Sequence, residues 1–146
     1  MGFIEQGQID KNKLVIGGKR TNLQSGGYFL EPTIFDDVKP ENNLFSEEIF
    51  GPVLGITTFK SSDEAISLAN QNKYGLHASV FTSSNKTAHV AGKRIKAGTV
   101  SVNCYGEGDA TTPFGGYKLS GFGGRDKSLF AHDQYCELKT IWIDLK

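Results

Sequence analysis

Two adjacent carboxylates, Glu47 and Glu48, stand before a lone aromatic, Phe50, and a Gly51-Pro52 turn in the run SEEIFGPV. By itself such a run reads as a frayed helix end leading into a strand, because Gly-Pro is a common breaker. A second acidic pair, Glu107 and Asp109, lies in the glycine-rich stretch 106–124. Each alone is a solvated turn residue; together they form an acidic rim suited to a substrate with a positively charged end. The glycines invite a phosphate-cradle reading, and its fingerprints fail. Residues 116–121 have the P-loop glycine spacing, but Phe122 stands where lysine is required. The dinucleotide pattern G-x-G-x-x-G is broken in GFGGRD by Asp126 and in GEGDAT by Thr111.

The other reactive residue types are sparse. His77, His89 and His132 show no zinc-ligand spacing with Cys104 and Cys136, so no metal site is expected and each reads as a surface or structural histidine. A G-x-S-x-G elbow is absent, which argues against a serine hydrolase. Cys104 has no identifiable His or Lys neighbour to make it a thiolate and reads as a structural cysteine. No catalytic residue is assigned.

The elements that would position these residues follow from pattern. An apolar strand over residues 13–16 closes at Gly17-Gly18, and Phe3, Ile4 and Gly7 before it read as the tail of a helix. GGYFLEPTIF and PVLGITTF read as strands, with Pro32 favouring an edge or a strand start. Ser61, with Glu64 three residues on, forms a capping box for a helix whose buried stripe is Ala65, Ile66 and Ala69. HASVFT is a further strand. Ser84 or Asn85 caps a second helix, with Ala88, Ala91 and Ile95 on one face and Gly98 as its stop. The strand GTVSVNC follows, then the glycine-rich loop, a short helix from Asp126 to about Gln134, and a terminal strand apolar on both faces. Strand and helix alternating at these lengths is the signature of crossovers on a parallel sheet, so the class is α/β with a three-layer-type parallel sheet. The two-sided apolar terminus must be covered or extend another sheet.

Totals set the limits. At 146 residues, with 38% hydrophobic and 22% charged residues, the chain can bury a core without disulfides. Sixteen basic and sixteen acidic side chains cancel, so nothing favours nucleic acid or a membrane surface. Two cysteines are no secreted framework, and no signal peptide or membrane-length apolar run is visible, so the expected location is cytoplasmic.

The order of the motifs is more informative than any one of them. GGYFLEPTIF, SEEIFGPV, ANQNKYGLHASVFT, KAGTVSVN, PFGGYKLSGFGGRD and ELKTIWI, in that sequence, resemble the C-terminal part of the catalytic domain of an NAD(P)-dependent aldehyde dehydrogenase. Nearly all of residues 26–145 take part. The closing runs resemble the branch acting on amino-aldehydes such as γ-glutamyl-γ-aminobutyraldehyde. The resemblance implies that Glu48 accepts hydrogen bonds from the nicotinamide ribose hydroxyls, that Phe50 packs by the nicotinamide ring, and that Gly51-Pro52 presents it. A carboxylate's two acceptor oxygens match the two donors of a cis-diol. It further implies that Phe114 flanks the aldehyde tunnel. GEGD replaces aromatic residues that other members carry in the preceding loop, which makes Glu107 and Asp109 substrate contacts for a polar or amino-bearing aldehyde.

In this family a cysteine thiolate attacks the aldehyde, a hydride passes to NAD(P), and a glutamate activates water to release the acid. The resemblance places that cysteine, its glutamate, the oxyanion-binding asparagine and the main dinucleotide fold upstream of the matching segment. The expectation is therefore a fragment: residues 1–135 as a C-terminal catalytic-domain segment beginning inside a helix, and residues 136–146 as an oligomerisation strand that pairs with a second copy. Alone it should bind NAD or NADP weakly or not at all and should not turn over aldehyde. The other readings are a non-catalytic interaction module and a small independent nucleotide-binding domain, the latter disfavoured by the failed glycine fingerprints.

Overall fold

The computed structural model describes residues 1–106 and 108–146. They divide into two compact units, Met1–Lys73 and Tyr74–Lys146.

In the first unit, helix α1 (Gly2–Ile9) leads into β1 (Lys13–Ile16), β2 (Thr33–Asp36), the short helix α2 (Asn43–Ser46), β3 (Val53–Gly55) and α3 (Ser62–Gln71). A 3₁₀ turn, Leu23–Ser25, interrupts the long β1–β2 connection. Strand β2 is central: β1 pairs with it antiparallel and β3 parallel, with Thr33 opposite Val53. The core forms where α1 and α2 cover this sheet. Ile4, Phe35, Val38 and Leu44 are buried there, with Phe3, Leu14, Phe45, Ile49 and Val53 packed around them. Gly7 is a packing residue: a Cβ there would lie 2.7 Å from Leu44 Cδ1 and 3.0 Å from the Phe35 ring, so a larger residue would make the core side chains shift. Ser61 caps α3 as expected, its Oγ accepting from the Glu64 amide, while the Glu64 carboxylate reaches back to the Lys60 amide rather than to Ser61. Ile66 is the buried residue of α3; Ala69, expected in its stripe, faces solvent because the helix turns it away.

In the second unit, β4 (Tyr74–Gly75) pairs antiparallel with β7 (Tyr117–Lys118), and β5 (His77–Val80) pairs parallel with β6 (Thr99–Val102) across helix α4 (Asn85–Arg94). The β5–α4–β6 unit is a true crossover, capped at Ser84, with Ala91 buried. Gly98 does not stop the helix, which ends at Arg94 with Ile95 as its C-cap. Its position is instead set by packing, since a Cβ on Gly98 would lie 1.6 Å from the Gly115 carbonyl oxygen. The short helix near the end is a 3₁₀ segment, Leu129–Gln134, capped by Ser128.

The α/β class holds, with mixed pairing: among the described residues there are two parallel pairs, β2–β3 and β5–β6, and two antiparallel pairs in three small sheets. The run PVLGITTF forms a strand only over Val53–Gly55, and GGYFLEPTIF only over Thr33–Asp36 plus a bridge between Arg20 and Leu30. Residues 136–146 form neither helix nor strand and leave Leu138, Trp142 and Leu145 at least nine-tenths exposed. No helix among the described residues is long and apolar enough to cross a membrane.

Candidate functional site

The segment that carries Glu48 and Phe50 is held at both ends. On one side, α2 is anchored by buried Leu44, and the Asn72 side chain donates to the Phe45 carbonyl at 2.9 Å. On the other, Thr33 N donates to the Pro52 carbonyl at 2.9 Å and Val53 N to Gly51 O at 2.8 Å, which stitches the Gly-Pro turn to the central strand. Between these anchors the two adjacent glutamates differ sharply. Glu47 is in an ion pair with Lys73. The Glu48 side chain is exposed and has no ion-pair partner among the described residues.

Phe50 is unusual in two ways at once. It is 93% exposed, and its φ is +50°, in the left-handed region that costs an L-residue other than glycine about 1–2 kcal/mol. An aromatic ring that is neither buried nor relaxed is not explained by packing of its own unit. Strain of this kind persists where the surrounding structure over-determines it, and it clusters at ligand sites. The turn therefore presents, two residues apart, an open carboxylate and an open aromatic face. Such a pair can accept hydrogen bonds from a diol and cover a flat ring.

In the second unit, Phe114 and Asp109 lie on one loop, and Glu107 lies outside the described residues. Asp109 closes its own turn: Oδ1 accepts from the Thr111 amide and hydroxyl, both at 2.8 Å, and its carbonyl accepts from Thr112. These hydrogen bonds from Thr111, backbone first, hold its carboxyl below the ordinary carboxylate range, and the Lys127 charge adds to the effect. Asp109 is thus a permanent anion near neutral pH. Lys127 was not singled out by sequence; its ammonium also lies 5.4 Å from the Phe114 ring centroid, so a cation stands beside both loop residues. Only contact across the loop could reveal it, since 13 positions separate Lys127 from Phe114.

Phe114 is half-buried and held by its carbonyl, which accepts from the Asp126 amide at 2.8 Å. Together with Leu76, Phe122, Asp126 and Gln134 it lines a cavity of about 160 Å³. The glycines around it are there for close backbone approach. A Cβ on Gly115 would lie 1.7 Å from the Gly124 oxygen, and one on Gly116 2.3 Å from the Ser120 oxygen. This stacking of chain on chain accounts for glycine spacings that match no phosphate cradle. Cys104 and Cys136 are both exposed free thiols, and the described residues hold no group of three potential metal ligands.

Comparison with known proteins adds an independent line. Residues 1–141 match the aldehyde dehydrogenase family. The chain is 55% identical over 142 residues to the aminoacetaldehyde dehydrogenase of Pseudomonas aeruginosa, covering 97% of this chain and 28% of that protein. The fold superposes on the γ-glutamyl-γ-aminobutyraldehyde dehydrogenase of Burkholderia cenocepacia with a TM-score of 0.88 at 53% identity, covering 94% of this chain and 28% of that one. It also superposes on an indole-3-acetaldehyde dehydrogenase in complex with NAD+ with a TM-score of 0.91 at 49% identity, over 99% of this chain and 29% of that structure.

Proposed function

The chain belongs to the aldehyde dehydrogenase family, and from that premise we propose that it supplies the nicotinamide-ribose clamp and one wall of the aldehyde tunnel of an NAD(P)-dependent enzyme that oxidises an amino-aldehyde to its acid. The observation that carries this reading is the turn at residues 47–52, where Glu47 is already engaged by Lys73 while Glu48 and Phe50 stand open. When bound, NAD(P) supplies the hydride acceptor. Glu48 accepts hydrogen bonds from the ribose hydroxyls, and charge-assisted bonds of this kind contribute about 1.5–3 kcal/mol each. Phe50 covers the nicotinamide face and limits its rotation. Phe114 borders the aldehyde path, and the anionic Asp109, with Glu107, favours an ammonium-bearing substrate over an uncharged one. Support for an amino-aldehyde comes from this acidic loop and from the amino-aldehyde relatives at 53–55% identity.

The thiolate chemistry is assigned to residues outside this chain. The chain spans 28% of the length of the curated relative it matches at 55% identity, and neither Cys104 nor Cys136 occurs in a motif matching the family's nucleophile. The purified chain is therefore expected to bind the dinucleotide weakly or not at all and to form no NADH from an amino-aldehyde. A chimera with residues 1–146 replacing the matching 28% of the P. aeruginosa enzyme is expected to turn over. Turnover by the chain alone that disappears in Cys104→Ala would overturn the assignment.

A second reading is favoured by the tail. Leu138, Ile141, Trp142, Ile143 and Leu145 are each at least 69% exposed, a row of apolar side chains that suits pairing with the sheet edge of a second copy. Concentration-dependent association in sedimentation that is lost on deleting residues 138–146 is the expected result. A monomer at all concentrations would remove this reading.

A further inference from the structure

The acidic loop leaves strand β6 by a route that two strand residues hold in place. Asn103 adopts a φ of +55° and turns the chain; its Oδ1 accepts from the Thr82 amide at 2.8 Å and its Nδ2 donates to the Thr82 carbonyl at 2.9 Å. This side-chain pair continues the β5–β6 ladder one step past its end. The chain then folds back, so that the Gly106 carbonyl accepts from Ser101 Oγ at 3.0 Å, five residues away. On the neighbouring strand His77 Nε2 lies 3.0 Å from the same hydroxyl, and its ring meets the Tyr105 ring edge-on, 5.3 Å between centroids at 84°. Ser101 has one proton, and it goes to Gly106. The contact with His77 is therefore made by an Nε2–H donating to Ser101 Oγ, which fixes both the tautomer and the flip of the ring. At its other end the loop is tied by Ser128 N to the Ala110 carbonyl at 3.0 Å.

We propose that His77 and Ser101 are positioning residues that clamp Tyr105 and Gly106 and so set where the acidic substrate loop stands. The proposal rests on the reading of that loop as a tunnel wall, but the clamp is testable without any substrate. Nothing in it requires either residue to touch the aldehyde. A serine hydroxyl and a ring nitrogen placed on adjacent parallel strands, His77 opposite Thr99 and Ser79 opposite Ser101, transmit the rigidity of the sheet to a loop that glycines would otherwise leave free.

The test is nuclear magnetic resonance of the 146-residue chain. Long-range proton–nitrogen correlation of His77 at pH above 7.5 is expected to show the Nε2–H tautomer. In Ser101→Ala the contacts between the His77 and Tyr105 rings should be lost, and the backbone order parameters of Tyr105, Gly106 and Gly108 should fall from about 0.85 to below about 0.6. Thr99 and Asn103 amides, which donate to Leu76 and Val80, should keep their protection, and Ser101→Thr should restore the loop. An Nδ1–H tautomer in the unmodified chain would overturn the proposal even if no variant folds. So would an unchanged loop in Ser101→Ala, or loosening of the β5–β6 ladder to the same extent as the loop. The substrate reading fails separately, if the chimera prefers an uncharged aldehyde while the clamp behaves as described.

Discussion

A carboxylate is available to a ligand only where its oxygens are not already engaged by the protein, and this separates the two adjacent glutamates. Lys73 occupies Glu47, while Glu48 is left to solvent. At Asp109 the carboxylate is divided: Oδ1 serves the turn closed by Thr111, and neither of those bonds uses Oδ2. Its folded pKa is depressed, so the linked stabilisation of the turn is present above the unfolded value, near 3.9, and is lost as pH falls through the lower folded value. The Thr111 amide resonance should therefore lose its hydrogen-bonded chemical shift only in acid, on the low side of about pH 4; the same loss at neutral pH would contradict the assignment. At Phe50, Phe50→Gly removes no buried surface and relieves a positive φ, offset by a more flexible unfolded chain. Thermal unfolding of the first unit should shift by the equivalent of less than about 1 kcal/mol, whereas chimera turnover should fall. Equal loss of both would make Phe50 a structural residue. Sequence gave Glu48 and Phe50 meaning only through the order of flanking motifs. Nothing local distinguished Glu48 from Glu47, because the Lys73 that decides the matter lies 26 positions away.

At the scale of elements, local devices were legible and long-range ones were not. Helix caps could be read locally, because a cap bonds to an amide three residues on: Ser61 directly, and the second as Ser84 or Asn85, of which Ser84 makes the bond. Strand positions were also legible from apolar pattern, as at Lys13–Ile16, but pattern does not name a strand's partner; β1 pairs antiparallel with β2, which breaks the expected parallel series. The role of the glycines was hidden for the same reason. Gly98, Gly115 and Gly124 succeed one another in space: a Cβ on Gly98 would strike the Gly115 oxygen and one on Gly115 the Gly124 oxygen, and only the folded chain brings them together. Two substitutions separate this role from mere flexibility. Gly115→Ala should destabilise the second unit by roughly 3 kcal/mol or more, since backbone must move to admit the methyl group. Gly92→Ala, inside α4 with nothing within 4 Å of the added carbon, should stabilise by about 0.5–1 kcal/mol. Denaturant unfolding of the two variants measures both, and a similar effect of the two would mean that the stacking is not what the glycines are for.

On the scale of the whole molecule, the described residues hold one compact apolar cluster, around Phe35, and many large apolar side chains left open. In the first unit these include Val15, Tyr28, Phe50, Leu54 and Phe59, and the tail adds Trp142 and its neighbours. A surface of that kind is suited to further protein rather than to water. It agrees with the chain's spanning 28% of a relative's length and with the proposal that it forms a cofactor edge and a tunnel wall of a larger active site. The central claim is that one carboxylate of the SEEIFGPV turn is the ribose clamp, and dinucleotide kinetics of the chimera test it most directly. Glu48→Gln is expected to lower kcat/KM for NAD by roughly 10–100-fold, the effect of about 1.5–3 kcal/mol, while Glu47→Gln changes it less than about threefold, as exposed ion pairs contribute little. Equal effects of the two, or a larger one from Glu47→Gln, would contradict the account.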